Sequence, residues 1–312
     1  MQVDFIAFNG DADGICAAHQ LQMAHNIATP VTGVKRDISL LNKIDSEQGK
    51  SIFVCDVAIE KNLDSIQKLL KQDCKITWFD HHRSGPIPNH PHFQSFLNLG
   101  KAVNTSWIVN QELKNRFPEW AIVGLFGDNM AESALQIAAD QGLSDRETNS
   151  LKELGELFNY NAYGEDLSDL WFDPGNLLEQ VTPFSSPIEF LNNSDILGEL
   201  RQGYQDDMIE AIKIKEEASG VRIFPNRNWA RRVIGVYANE LIQKSDQAGI
   251  AIIQRKKGLG YIVSVRSKDN DFNAGEFCAT FATGGGRIGA GGINHLEEQD
   301  IPKFIQRFQQ QF

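Results

Sequence analysis

Several short apolar runs in this sequence end abruptly in acidic residues, and segments with helical spacing separate them. Residues 3–8 form one such run and are followed by Asp11 and Asp13. The run at residues 51–55 stops at Asp56, and a helical segment follows it before the next run. This alternation predicts an α/β fold with a doubly wound, mostly parallel sheet. Groups that follow such strands gather at the carboxyl edge of the sheet, where ligands bind.

The run at residues 75–79 leads directly into Asp80, His81, His82 and Arg83. Its β-branched and aromatic residues predict a buried strand. Burying a carboxylate and two imidazoles beside a core strand is costly unless a metal ion or a phosphate compensates. The alternative is that the aspartate caps a helix and that both histidines lie on the surface. Acidic residues at the ends of the other strands favour the metal or phosphate site.

Five carboxylates and one imidazole follow the ends of predicted elements. They are Asp11, Asp13, Asp56, Asp80, His81 and Asp128. Carboxylates gathered at one place repel one another unless cations hold them. Oxygen-rich ligation with some nitrogen favours manganese or magnesium over a structural zinc. Two such ions about 3.5–4 Å apart lower the pKa of a bridging water and bind the attacking and the leaving oxygen of a phosphoryl displacement. The pattern therefore predicts hydrolysis of a phosphoester or phosphoanhydride, with Asp56 as the bridging ligand.

The charge of the chain is unevenly distributed. Residues 1–219 hold 17 Lys and Arg against 33 Asp and Glu, whereas residues 220–312 carry a net charge of +5. An acidic body with a basic C-terminal part suits an anionic ligand held between metal-binding carboxylates and a cationic lid. The alternative is chance surface composition.

Cysteine spacing and hydropathy limit the class of protein. The four cysteines, at positions 16, 55, 74 and 278, lie far apart without a C-x-x-C pair, which argues against a zinc knuckle and a disulfide framework. The first residues carry no basic segment, and no window approaches 18 uninterrupted apolar residues. We therefore expect a cytoplasmic protein with no membrane association.

Composition breaks divide the chain into three parts. We predict a catalytic, metal-binding domain at residues 1–186, a linker helix at 187–219 and a smaller α/β substrate-binding domain at 220–312, with the active site in the cleft between domains. Residues 188–218 read as one long charged helix. Further predicted strands cover residues 30–35, 232–237, 249–254 and 260–266, with helices at 239–244 and 273–281 and a hairpin turn at 256–260.

A glycine-rich stretch lies near the C-terminus. Gly284, Gly285 and Gly286 precede Arg287, and residues 289–292 are again rich in glycine. Such a stretch lets the backbone approach a ligand, with amides forming an anion site and the guanidinium binding a phosphate. The alternative is a flexible loop or a packed turn. Because flexible loops more often carry Ser, Asn or Lys among their glycines, we favour the phosphate-binding interpretation.

The order of these motifs resembles the DHH phosphoesterase superfamily with its DHH-associated C-terminal domain. The resemblance rests on D-x-D (Asp11, Asp13), Asp56, D-H-H (Asp80, His81, His82), Asp128, Arg266-Ser267 and a G-G-G-x-x-x-A-x-G loop, and it covers nearly the whole chain. This family includes RecJ-type single-strand exonucleases, nanoRNases and phosphodiesterases of linear or cyclic dinucleotides. With a different C-terminal domain, it also includes manganese pyrophosphatases and exopolyphosphatases.

The resemblance implies a role for each matching residue. Asp13, Asp56, His81 and Asp128 would surround one metal ion, and Asp11 with Asp56 would bind the other. His82 would face the scissile phosphate, and Asp80 would orient the imidazoles. The substrate's phosphate or terminal nucleotide would be held by Arg83, Arg266, Ser267, Gly284, Gly285, Gly286 and Arg287.

Two positions depart from the family pattern. Ala7 stands where many members have a histidine, which implies that the first metal binds more weakly or depends on substrate or on Asn9. Arg287 stands where the loop usually has a histidine. Arginine cannot shuttle a proton near neutral pH, but it holds an anion more firmly.

The resemblance implies a 3′–5′ oligoribonuclease-like phosphodiesterase with two divalent cations. We expect manganese, with magnesium or cobalt as alternatives, and short linear oligonucleotides or dinucleotides such as pGpG or pApA as substrates. The products would be 5′-mononucleotides, and a homodimer is left open. Hydrolysis of pyrophosphate or polyphosphate, digestion of longer single strands, and a non-catalytic nucleotide sensor are the alternatives. A long basic channel for single strands is not visible in the sequence.

Overall fold

Five parallel strands form the sheet of the N-terminal part of the computed structural model, which describes residues 2–45, 48–100, 102–268 and 273–312. They are β1 (Gln2–Phe8), β2 (Asn26–Val31), β3 (Ser51–Cys55), β4 (Lys75–Asp80) and β5 (Phe93–Leu97). The order across the sheet is β2-β1-β3-β4-β5, and every neighbouring pair is parallel. The predicted parallel α/β sheet is confirmed.

The two edge strands differ from the prediction. β2 ends at Val31, before most of the predicted strand at residues 30–35. Its Pro30 pairs with Ile6 of β1, and the missing N–H is tolerated because β2 has a neighbour on one side only. β5 was not predicted, because it has five residues and none of them is fully buried. A strand of this kind lacks the continuous apolar run that marked β3 and β4.

Helices cover this sheet and complete the first of two compact units, Met1–Arg201. They are α1 (Ala12–Ala24), α2 (Leu63–Lys71), α3 (Thr105–Glu112), α4 (Pro118–Gly127), α5 (Ala131–Asp140), α6 (Asp145–Ala162), α7 (Pro174–Val181), α8 (Pro187–Asn193) and the start of α9 (Ile196–Ile212). α1 is buried from Ala12 to Leu21 and packs against α3 and α4. Within the described residues, we find no helix with the length and apolar character needed to cross a membrane.

The single long helix predicted at residues 188–218 is wrong. Two helices, α8 and α9, cover most of this segment, and Ser194 and Asp195 separate them. The break follows two asparagines, so four consecutive residues have side chains that compete with the helix for backbone hydrogen bonds. The boundary between the two compact units falls inside α9.

The second unit, Gln202–Phe312, contains a six-stranded mixed sheet. Its elements are β6 (Glu216–Ala218), β7 (Val221–Phe224), α10 (Asn228–Lys244), β8 (Gly249–Arg255), β9 (Tyr261–Ser267), α11 (Ala274–Ala279), β10 (Gly284–Arg287), β11 (Ala290–Leu296) and α12 (Ile301–Gln311). The strand order is β10-β11-β9-β8-β7-β6. β8 and β9 are antiparallel, and this confirms the hairpin predicted around residues 256–260.

The strand predicted at residues 232–237 is wrong, because these residues lie within helix α10. Their β-branched and aromatic side chains favour a strand locally. Residues 230–235 of α10 are all buried, and so are Tyr237, Ala238 and Ile242, so the helix is held by packing on more than one face. Arg232 also donates from Nε and Nη2 to Asp207 of α9, at 2.7 and 2.9 Å. Tertiary packing thus overrides the local preference for a strand.

Candidate metal centre

The predicted acidic residues lie at the carboxyl edge of the parallel sheet. Asp11 follows β1 as the N-cap of α1, and Asp13 lies in the first turn of that helix. Asp56 directly follows β3 and has a φ of 61°, a left-handed conformation that Asp adopts more readily than most residues. The strand order changes direction between β1 and β3. Parallel sheets bind ligands at such a switch point.

His81 lies among three of these carboxylates. Its Nε2 is 3.5 Å from Asp56 Oδ1, 3.8 Å from Asp128 Oδ2 and 3.9 Å from Asp13 Oδ2. Its Nδ1 is 3.2 Å from the carbonyl oxygen of Val103. Because a carbonyl oxygen only accepts hydrogen bonds, Nδ1 carries the proton of the neutral ring. In the neutral ring Nε2 then carries the lone pair, which could bind a cation placed among the three carboxylates.

The N-terminus of α3 holds the carboxylate of Asp13. The backbone N–H groups of Thr105 and Ser106 donate to its two oxygens at 2.8 and 2.7 Å. The Thr105 hydroxyl also donates to Asp56 Oδ1 at 3.2 Å. The positive end of the helix dipole favours a negative charge at this position. Sequence reasoning missed these two residues, although Asn104 before them is a recognisable N-cap residue.

Asp80 contacts both histidines that follow it, His81 through the backbone and His82 through the ring. Its Oδ1 accepts the backbone N–H of His81 at 2.9 Å and lies 2.8 Å from Nδ1 of His82. Burial acts to lower the pKa of His82, but the hydrogen bond and charge of Asp80 raise it overall. The His82 side chain is 49% exposed, whereas Asp80 is fully buried. Asp80 thus contacts the imidazole of His82 but only the backbone of His81, and the roles predicted for Asp80 and His82 stay predictions.

The buried acids disfavour one another in their ionised form. Burial, and then the charges of Asp13, Asp11 and Asp128, raise the pKa of Asp56 well above its usual value. Burial and the charges of Asp13 and Asp11 likewise raise the pKa of Asp128. Asp128 Oδ2 is buried, and it accepts no hydrogen bond from the residues that the structure describes. A divalent cation would remove both the repulsion and the unpaired acceptor.

These donors fit a divalent cation. Two overlapping groups have ligand atoms within 4.8 Å of one another, namely Asp13, His81 and Asp128, and Asp56, His81 and His82. Carboxylate oxygens with an imidazole nitrogen suit manganese or magnesium. The structure thus brings together the residues predicted around one ion, Asp13, Asp56, His81 and Asp128. Their binding of a metal stays a prediction.

Lys35 was not among the predicted site residues, yet it reaches the same acids from the segment after β2. Its Nζ donates to Asp11 Oδ2 at 2.5 Å and to Asn159 Oδ1 at 2.9 Å, and lies 3.9 Å from Asp128 Oδ1. Burial acts to lower the pKa of Lys35, but the charges of Asp11 and Asp128 raise it well above its usual value. Burial acts to raise the pKa of Asp11, and Lys35 holds it below its usual value. The two groups therefore form a charged pair.

The residues predicted to bind substrate have different surroundings. Arg83 is exposed in the segment after β4, and Arg287 is exposed at the end of β10. Arg266 donates to Asn239 Oδ1 at 2.5 Å, and the buried Ser267 donates its hydroxyl to the Ile288 carbonyl at 2.9 Å. Arg266 and Ser267 thus have partners within the second unit. Binding of substrate by Arg83, Arg266, Ser267 and Arg287 stays a prediction.

The glycine-rich stretch forms a hairpin and not a loop, and the substrate-binding role predicted for Gly284, Gly285 and Gly286 stays a prediction. These residues belong to the edge strand β10, which pairs with β11. A Cβ at Gly284 would lie 1.8 Å from the carbonyl oxygen of Cys278 in α11, and one at Gly291 would lie 2.3 Å from that of Ala274. The packing of α11 against the hairpin therefore accounts for both glycines.

Comparisons with known proteins agree with this architecture. Residues 218–312 match the DHHA1 domain. Among curated proteins, none matches the sequence. The crystal structure of exonuclease RecJ bound to manganese has a TM-score of 0.58 and 14% identity, with 98% of this chain and 88% of that chain covered. RecJ in complex with Mn²⁺ from Thermus thermophilus has a TM-score of 0.55 and 16% identity. That match covers 98% of this chain and 51% of that RecJ, so the chain spans about half of its length.

The domain match and the acidic motifs lie in different parts of the chain. The DHHA1 match lies wholly in the second unit, whereas the D-x-D and D-H-H motifs lie at the sheet edge of the first. The shared fold with RecJ extends over nearly all of the sequence. Residues 218–312 therefore match the DHHA1 domain, and the chain shares the fold of RecJ, in agreement with the resemblance of its motifs to the DHH phosphoesterase superfamily.

Proposed function

We propose that this protein is a divalent-cation-dependent phosphodiesterase that hydrolyses short linear oligonucleotides, dinucleotides included, to 5′-mononucleotides. The observation that carries the proposal is the position of His81, whose Nε2 faces Asp13, Asp56 and Asp128 within 3.9 Å. A lone pair and three carboxylates around one point form a donor set for manganese or magnesium. RecJ structures with manganese support the choice of this ion.

The residues of the chain divide the chemical work between them. Asp13, Asp56, His81 and Asp128 would hold the cation, which when bound makes water more acidic and polarises a phosphoryl oxygen. Thr105 and Ser106 fix the Asp13 carboxylate through their backbone N–H groups.

His82 is aligned by Asp80 and remains half exposed, so it can donate a hydrogen bond to an incoming phosphate. The exposed guanidinium groups of Arg83 and Arg287 would bind phosphate. A planar guanidinium can donate two parallel hydrogen bonds to one phosphate. Arg287 replaces the histidine that is usual at its position.

Charge supports a short substrate over a long single strand. Residues 1–219 carry a net charge of −16, which opposes the binding of a long polyanion along their surface. A few phosphates could still be held by one metal centre and a small number of arginines. The same centre could hydrolyse pyrophosphate or polyphosphate, so the substrate class requires a direct test.

We expect the rate of mononucleotide release to be highest for dinucleotides and to fall with length. The measurement uses 5′-phosphorylated oligoribonucleotides of about 2 to 20 residues with added manganese, because a long polyanion gains little at an acidic surface. Pyrophosphate and tripolyphosphate are assayed in parallel. Asp56→Asn protein that is purified by the same procedure controls for contaminating nucleases. Equal or rising rates with length would indicate a RecJ-like exonuclease, and release of phosphate from tripolyphosphate alone would indicate the phosphoanhydride hydrolase.

A further inference from the structure

The side chain of Lys35 lies where the sequence predicted a second metal ion. Asp11 was expected to bind that ion, yet each of its oxygens already accepts a hydrogen bond. Oδ1 accepts the N–H of Gly14 at 3.1 Å, and Oδ2 accepts Nζ of Lys35 at 2.5 Å. A bound magnesium or manganese would lie about 2.1 Å from a carboxylate oxygen. On the side of Oδ2, the ammonium of Lys35 occupies that space.

Asn9 and Ala7, the two neighbouring positions, supply no replacement ligand. Asn9 is buried, its Oδ1 accepts the backbone N–H of Asp11 at 3.3 Å, and its Nδ2 donates to the carbonyl of Lys35 at 3.1 Å. Ala7 lies buried in β1, where its methyl group offers no donor atom. These residues on the Asp11 side of the centre therefore do not fit a second divalent cation.

Lys35 itself is held as a fixed cation. Its Nζ has oxygen partners on Asp11 and Asn159, lies 3.9 Å from Asp128, and is 5.5 Å from the ring centroid of Tyr163. Its backbone is anchored as well, because its N–H donates to the carbonyl of Ala162 at 2.9 Å. Two hydrogen-bonding oxygens, a further carboxylate and an aromatic ring match the needs of an ammonium group.

We infer that the ammonium of Lys35 replaces the second divalent cation, so that this centre binds a single ion at Asp13, Asp56, His81 and Asp128. The inference rests on the proposed function, and it replaces the two cations predicted from the sequence by one. Lys35 then acts as a positioning residue, which fixes the Asp11 carboxylate and supplies a permanent positive charge beside the ion. An ammonium offers one charge where a metal offers two, and it cannot activate a water.

Counting bound manganese tests this inference without relying on activity. The metal-free full-length protein is titrated with Mn²⁺ while the signal of the free ion is followed by electron paramagnetic resonance. We expect about one tight ion per chain for the wild type and about two for Lys35→Met, because the variant frees Asp11 and Asp128 to bind another cation. Asp11→Asn in the wild type should leave the count at about one, and Asp11→Asn combined with Lys35→Met should return it to about one.

Lys43→Met is the matched control. Lys43 lies in the same segment and pairs with Asp37 at 2.5 Å on a partly exposed surface, so its removal should leave the count at one. Two tight ions in the wild type, or loss of the single ion in Asp11→Asn, would overturn the inference and leave the proposed function standing. A wild-type protein that binds no manganese would overturn the proposed function itself. Should Lys35→Met fail to fold, the counts for the wild type and for Asp11→Asn still decide.

Discussion

Asp56→Asn is expected to abolish phosphodiester hydrolysis while the metal-free protein remains at least as stable as the wild type. Asp56 Oδ1 lies 3.5 Å from His81 Nε2, at the centre of the predicted ligand set. Removing a residue that only orients a metal ligand typically costs about 10- to 100-fold, so loss of a direct ligand should exceed about 100-fold. Burial and neighbouring acids raise the pKa of Asp56, so a neutral amide relieves repulsion when no metal is bound.

The measurement combines the initial rate, the affinity for manganese and the melting temperature of the metal-free protein. Asp73→Asn is a close control, because Asp73 also has a φ of 61° but lies at an exposed turn, with its side chain 69% exposed. Asparagine adopts this backbone conformation readily and can keep the hydrogen bond from Thr105, so a folding defect is not expected. Unchanged activity in Asp56→Asn would contradict the assignment of the metal centre.

Asp207→Ala is expected to lower the free energy of unfolding of the second unit by about 3–5 kcal/mol. Asp207 and Arg232 are only 5% and 8% exposed, and the carboxylate accepts two hydrogen bonds from the guanidinium at 2.7 and 2.9 Å. Removing the acid leaves a buried charge without this compensation, which accounts for most of the cost. Hydrogen exchange of the α10 amides, measured by mass spectrometry across a urea series, reports the change in this unit alone.

The exposed pair of Glu153 and Arg201 provides the control. It has the same bidentate geometry, at 2.6 and 2.9 Å, but the two side chains are 43% and 40% exposed. Glu153→Ala should therefore cost at most about 1 kcal/mol, because water screens the pair. Equal losses for the two variants would show that burial does not set the strength of the Asp207–Arg232 pair.

The sheet and most of the acidic centre could be predicted because both follow from a simple spatial rule. Strands that are buried on both faces show as continuous apolar runs, and a parallel arrangement brings their carboxyl ends to one edge. Asp11, Asp56 and Asp80 therefore converge although they are far apart in the sequence.

Lys35 could not be found in this way. It lies after an edge strand, and nothing in the linear pattern distinguishes it from a surface lysine. Only the path of the chain carries its ammonium to Asp11 and Asn159.

Two features of the second unit, helix α10 and the glycine-rich hairpin, could not be predicted for the same kind of reason. The residues at 232–237 favour a strand locally, and the contact between Arg232 and Asp207 that accompanies the helix is made by a residue 25 positions away. The glycines near Arg287 are compatible with either an anion-binding loop or a tightly packed strand. The packing of α11 favours the strand, because the backbone of this helix approaches Gly284 and Gly291 too closely for any side chain.

The most direct test of the account is the release of 5′-mononucleotide from a 5′-phosphorylated dinucleotide by metal-free protein, before and after manganese is added. We predict no release without metal, full activity with manganese, lower activity with magnesium or cobalt, and loss of activity when a chelator is added. Release at an undiminished rate in the presence of the chelator would contradict metal-dependent catalysis. Tight binding of manganese without any hydrolysis of the dinucleotide would contradict the proposed substrate and favour a nucleotide sensor or a phosphoanhydride hydrolase.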